Sequence, residues 1–152
     1  MKIFRWIKWC VGLLLIVAIG TFVWLAFKGY EMYDQALKEA SLEETVEKVR
    51  SKPNYTPLNA LPKTYLDAVI AVEDHRFYKH GGIDPIAISR AVWNDIKAMN
   101  LVEGGSTITQ QLAKNLFFTQ KKEFTRKFAE IFMAFKIEHT YSKDEILELY
   151  LN

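Results

Sequence analysis

The sequence predicts a mainly α domain behind one apolar N-terminal helix, and three observations predict it. No formal charge occurs from Trp9 to Phe27, a run that as helix extends about 28 Å, close to the hydrocarbon thickness of a bilayer. Beyond Pro62 the periodic segments carry their apolar residues at helical spacing. No β-hairpin signal competes with them.

The ends of the apolar run set its expected orientation. Lys2, Arg5 and Lys8 precede it, whereas Lys28 and Lys38 after it are mixed with Glu31, Asp34 and Glu39. The excess of basic residues on the first side places residues 1–8 in the cytoplasm, 9–27 across the membrane and the remainder outside. A cleaved signal peptide shares the basic start, but the length of the run and the lack of a small-x-small pattern in TFVWLAFKGYEMY favour an uncleaved anchor. Trp6, Trp9, Trp24, Tyr30 and Tyr33 flank the run as an interfacial aromatic belt would. Cys10, the single cysteine, forms no internal disulfide and reads as an apolar residue at the membrane edge.

The net charge of +2 conceals an asymmetry, because residues 1–30 hold four basic residues, Lys2, Arg5, Lys8 and Lys28, and no acid. The outer part is nearly neutral, which argues against nucleic acid as a partner. After the anchor, Glu31 to Arg50 reads as a helical stalk with a thin apolar stripe at Leu37, Leu42, Val46 and Val49. Pro53, Pro57 and Pro62 with Asn54 and Asn59 mark a linker. Stalk and linker are therefore assigned to residues 28–61, and the compact domain to 62–152.

Within that domain, Lys63 to Asp74 predicts a helix with Pro62 at its start and Tyr65, Leu66, Val69, Ile70 and Val72 on its apolar face. Asp84 caps a second helix with Pro85 at its first position, continued by Ile86, Ile88, Ala91, Val92, Ile96 and Met99 toward Asn100. Gly104 and Gly105 break the chain, and Ser106 or Thr107 caps a third helix toward Phe118. Phe124 to His139 is a fourth, with Phe128, Ile131, Phe132, Phe135 and Ile137 near helical spacing. Ser142 and Glu145 form a capping-box pattern that opens the last helix, through Leu151.

Chemistry concentrates in EDHRFYKHGG, Glu73 to Gly82, and EGGSTITQQLAKN, Glu103 to Asn115. Glu73 follows the apolar run Ala68 to Val72, so a partly desolvated carboxylate suited to acid–base work is expected there, against the commoner reading of a solvated acidic helix end. His75 and His80 do not share a helix face, and no cysteine or ordered acid spacing completes a metal site. His80 is expected to be a hydrogen-bonded structural residue. The Gly104-Gly105-Ser106-Thr107 turn could gather backbone amides around an anion, or be an ordinary helix cap. It lacks the lysine of a P-loop, and no GxGxxG follows a strand, so no nucleotide cofactor is expected. Lys114, Arg126 and Lys127 supply cations. Arg126 and Glu130, four apart, read in isolation as an exposed ion pair. Together with the anchor, an acid, a glycine–hydroxyl turn and a basic helix face suit a sugar substrate on a lipid-linked phosphate.

These residues resemble the glycosyltransferase domain of bifunctional penicillin-binding proteins and of monofunctional peptidoglycan transglycosylases. EDHRFYKHGG is similar to the first motif, GGSTITQQLAKN to the second, RKFAE to the third and KDEILELYLN to the fourth. The resemblance implies a lysozyme-like α fold, and an inverting enzyme that polymerises lipid II into β-1,4 glycan strands with undecaprenyl pyrophosphate as leaving group. It implies Glu73 as general base toward the acceptor hydroxyl and Glu130 as a supporting acid. Lys114 and Arg126, assisted by Lys127, would stabilise the departing pyrophosphate. Asp74, Phe77 and His80 would shape the site, and Ser106, Thr107, Gln110 and Gln111 would contact substrate. No organic cofactor is implied, and a divalent cation (Mg or Mn) has a place at the pyrophosphate. The implied partners are lipid II, the growing glycan strand, the membrane and cell-wall assembly proteins. The chain stops inside the fourth motif, so it reads as an incomplete transferase domain. A lysozyme-like lytic enzyme and a non-catalytic tethered scaffold are the alternatives.

Overall fold

The computed structural model describes residues 2–100, 104–118 and 124–152. Glu103, at the head of the second sequence cluster, lies outside the described residues. Seven α-helices follow one another among the described residues, without a strand: α1 (Lys2–Glu39), α2 (Leu42–Arg50), α3 (Lys63–Glu73), α4 (Pro85–Ala98), α5 (Ile108–Phe117), α6 (Phe124–Thr140) and α7 (Lys143–Tyr150). The fold is mainly α, as the periodicity predicts.

Helix α1 is continuous from the apolar run into the stalk and is long and apolar enough to cross a membrane. It does not then stand apart. Helix α6 packs along it, with Phe22 edge-on to Phe128 at 5.1 Å between ring centroids and Tyr30 edge-on to Phe132 at 5.5 Å. Gly29 makes this approach possible, because a Cβ there would sit 2.3 Å from Phe128 Cβ and 3.0 Å from Ala129 N. Gly29→Ala must therefore separate two helices whose backbones touch, and overpacking of this kind costs about 1–3 kcal/mol. Thermal unfolding of the detergent-solubilised variant should show a lower Tm. An unchanged Tm would mean that the helices do not meet there.

The stalk assignment needs correction at this point. Ser41 Oγ accepts from Glu44 N at 3.0 Å, capping α2 and ending α1. Leu42, Val46 and Val49, expected as a thin stripe on a spacer, are instead buried in the core with Ile146, Leu147 and Leu149 of α7. The proline-rich segment is likewise strapped down. Glu148 accepts from Leu58 N at 2.6 Å and bonds the Tyr55 hydroxyl, while Asn152 pairs with Thr56 N at 2.7 Å and Thr56 O at 3.0 Å. The packed unit thus includes α2 and the linker, and no boundary falls at residue 62.

The remaining core comes from α5 (Ile108, Leu112, Ala113), α6 (Met133, Ile137) and Phe77, so α5 and α6 form its centre. On α6 the face differs from the expected one: Ala129 and Ala134 are buried, whereas Phe128 and Phe132 turn toward α1 and Phe135 is exposed. Small residues let helix backbones approach, and bulky rings fill the seam beside them. Helix α4 begins as predicted, with Asp84 accepting from Ile86 N at 2.9 Å, and ends at Met99 in the left-handed region (φ 52°). Only Ala91 of its apolar series is buried. On α3, Val72 and Tyr65 are exposed, and Leu66 and Ile70 make the contact with the core.

Candidate active site

Helix α3 ends between two carboxylates, and the turn sends them to opposite environments. Asp74 leaves helical geometry (φ −160°, ψ 75°) and is buried, while Glu73, the last helical residue, is exposed. The desolvation expected for Glu73 is therefore not present: the apolar run before it belongs to a helix whose end faces open space.

Asp74 explains the neighbouring loops. Its Oδ2 accepts from Ile108 N at 3.1 Å, so a protein carboxylate occupies the amide end of α5. His80 Nε2 lies 2.9 and 3.0 Å from the two Asp74 oxygens, which gives His80 the hydrogen-bonded structural position expected of it. Thr107 and Gln110 complete a reciprocal capping box, and Thr107 Oγ1 donates to Gly82 O at 2.6 Å. Of the two readings open for this turn, the capping box and the Asp74 contact support the helix cap. Gly82 has φ +91°, and a Cβ there would press on the Ala134 backbone at 3.3 Å, so this crossing of loop and α6 requires glycine.

Burial then divides the predicted residues. Thr107, 2 % exposed, still reaches the wall of one concavity, whereas Phe77 and Gln110, 0 and 2 % exposed, shape the site from inside. Asp74 and His80 join them. Glu73, Gln111, Ser106 and Lys127 are the accessible set.

Glu73 stands between two concavities. One, of about 540 Å³, is lined by α3, α5 and α7 residues including Tyr65, Val69, Val72, Asn115 and Tyr150. The other, of about 470 Å³, is lined by Glu73 to His75, Ala87, Arg90 and Gly104 to Thr107. Gln111 Nε2 donates to Glu73 Oε2 at 2.9 Å, and Tyr150 OH donates to Gln111 Oε1 at 3.1 Å. Burial raises the Tyr150 phenol above its ordinary range, and the negative charge of Glu73 and the nearby Tyr65 add to this, so the hydroxyl stays a donor.

The cations gather around Glu130, which is 2 % exposed. Arg126 Nε is 3.2 Å from Oε1, and Lys127 Nζ is 3.0 Å from Oε2 and 2.7 Å from Ser106 Oγ. The exposed ion pair expected from spacing alone is in fact a buried carboxylate between two cations. Lys114 is partly buried near the end of α5. Lys114, Arg126 and Glu130 line neither concavity; Ser106, which does, connects the Glu73 cleft to Lys127.

A second polar cluster escaped the sequence reading, since Asp74, His80 and Asp84 bring ligand-type atoms within 4.8 Å of one another. Its carboxylates are already engaged. Arg76 Nε is 2.8 Å from Asp84 Oδ2, Ile86 N binds Oδ1, and Asp74 faces Ile108 N and His80. Burial alone would push the Asp84 carboxyl up, but the Ala87 and Ile86 amides and the Arg76 guanidinium outweigh it and hold it below the usual range. An arginine in contact makes this cluster a poor fit for a divalent ion.

Arg90, Tyr65, Asn115 and Tyr150 are cleft residues that sequence reasoning did not single out. Asn115 and Tyr150 lay inside the second and fourth motifs, a usable signal. Nothing in the spacing marks Arg90, because α4 offers too little burial to fix which face meets the cleft.

A helical domain with a glutamate in an open cleft beside a basic helix end defines the class, and comparison with known proteins places the chain within it. The Transglycosylase family matches residues 38–152. The chain belongs to this transglycosylase family, and the domain is of the glycosyltransferase kind. Among curated relatives, it is 57% identical over 95 residues to penicillin-binding protein 1F of Bacillus subtilis (strain 168), covering 62% of this chain and 13% of that protein. It is 50% identical over 98 residues to penicillin-binding protein 1A of Neisseria flavescens, covering 64% and 12%. Against penicillin-binding protein 1A of Aquifex aeolicus (strain VF5) it is 49% identical over 98 residues, covering 64% and 14%. The chain thus spans about an eighth of the length of these relatives.

Proposed function

We propose that this domain polymerises lipid II into β-1,4 glycan strands for cell-wall synthesis, as an inverting glycosyltransferase. The observation that carries the reading is Glu73 in an open cleft, flanked by two concavities and linked through Ser106 to Lys127, in a chain of the transglycosylase family. The acceptor hydroxyl oxygen attacks the donor's anomeric carbon as Glu73 takes the hydroxyl proton. The bond from that carbon to the pyrophosphate oxygen breaks, and its electron pair leaves with the diphosphate. Lys127, Arg126 and Lys114 offset the developing charge, and Glu130 orders the first two of these cations.

Membrane topology fits the same reading, with residues 1–8 cytoplasmic, 9–27 spanning and the helical domain outside. Gly29, just beyond the spanning run, meets Thr125, Phe128 and Ala129, so the first turns of α6 lie against the membrane-proximal end of the outer part of α1. Arg126 and Lys127 then stand at the height of a lipid diphosphate. Glu130 already faces two cations, so a divalent cation would be carried by the diphosphate and would add to the neutralisation of its charge.

The full-length protein in detergent, given lipid II and preformed glycan in parallel, should consume the first with release of undecaprenyl pyrophosphate and leave the second intact. Cleavage of glycan without use of lipid II would establish a lytic enzyme instead. Arg126→Ala should lower kcat/KM about 10²-fold, the usual effect of removing one group that stabilises transition-state charge. Unchanged kinetics would remove Arg126 from the reaction.

A further inference from the structure

Glu73 ends a helix, is exposed, and has three side-chain torsions to fix before it can meet a proton in a set direction. Its only hydrogen bond among the described residues comes from Gln111 Nε2, at 2.9 Å. The orientation of the Gln111 amide is settled at both ends, since its carbonyl turned toward a carboxylate would be repelled, and Tyr150 OH donates to that carbonyl at 3.1 Å. The three residues belong to α3, α5 and α7, and α5 is anchored by its capping box and by Asp74.

We propose that Gln111 and Tyr150 are positioning residues that hold the Glu73 carboxylate in the orientation from which it takes the acceptor proton. This rests on the base role given to Glu73 above. It also changes the part of Gln111, from substrate contact to support for the base.

The relay does not act as a stabilising device. Water can replace a hydrogen bond to an exposed carboxylate at little net cost, whereas misplacement of a reacting group by about 1 Å can lower turnover about 10²-fold. Stability and rate therefore separate the two roles. In the full-length protein acting on lipid II, Tyr150→Phe should lower kcat about 10-fold, with KM within about twofold and Tm within about 2 °C. Gln111→Leu should lower kcat further, and Tyr150→Phe should add nothing in that background, because the carbonyl that it serves is gone.

Equal kcat in Tyr150→Phe, parallel changes in kcat and KM, or additive effects in the double variant would overturn the relay. Turnover by Glu73→Gln would sink the base role itself, a separate result. A measurement independent of turnover completes the test: the side-chain amide resonances of Gln111 in the isotope-labelled protein should shift in both Glu73→Ala and Tyr150→Phe. If they move in neither, the relay does not exist in solution.

Discussion

Glu73→Gln should abolish polymerisation while lipid II binding persists. The amide has nearly the volume of the carboxylate and sits where the native side chain is exposed, so neither packing nor stability is disturbed. What it loses is the capacity to accept a proton as the acceptor oxygen attacks, and general base catalysis is worth about 10²–10⁴ in rate. Steady-state polymerisation and equilibrium binding of lipid II, measured on the same preparation, provide the comparison. Turnover within tenfold of the parent would require another base, and loss of binding in step with turnover would make Glu73 a substrate ligand.

Glu130→Ala should have the largest effect on stability. The Glu130 side chain is 3 % exposed and that of Arg126 is 15 %, so the substitution removes a buried carboxylate from a mostly buried guanidinium and leaves a void beside it. Removing one partner of a buried ion pair costs about 3–5 kcal/mol, and the further contact that Arg126 keeps sets the loss toward the lower end. Lys127, 44 % exposed, can turn to water and contributes less. Urea unfolding of the domain measures the difference directly. A loss below about 1 kcal/mol would show that solvent reaches the pair, in which case Glu130 would be free to act on substrate.

Helix positions were legible wherever a local device defined them. Asp84 with Pro85, Thr107 and the Ser142–Glu145 box each start a helix where the sequence places it. The break at Ser41 was equally local, since its side chain caps Glu44, but the charged run around it read as one solvated stalk. Which face of a helix is buried depended on partners remote in sequence. Leu42, Val46 and Val49 became core because α7 lies against them, and Phe128 turned to α1 because Gly29 admits it. At the site, motif residues named the actors but not their surroundings. Nothing local distinguishes Glu73 from Asp74, adjacent acids whose fates are set by a single non-helical turn. Nor could spacing reveal that Asp74 would fill the amide end of α5, which decides between the anion site and the ordinary helix cap that the turn allows.

Helix α1 passes from its apolar run to Glu39 without a hinge, and α6 is clasped to its side. Inserted in a lipid sheet, such a rod answers a thinner or thicker hydrocarbon layer by leaning. With no joint to absorb the lean, the domain would rotate with it, and under the proposed function the cleft would change its angle to the plane of a lipid-borne substrate. On that reading, acyl-chain length would become a lever on how donor and acceptor are presented, acting through the anchor.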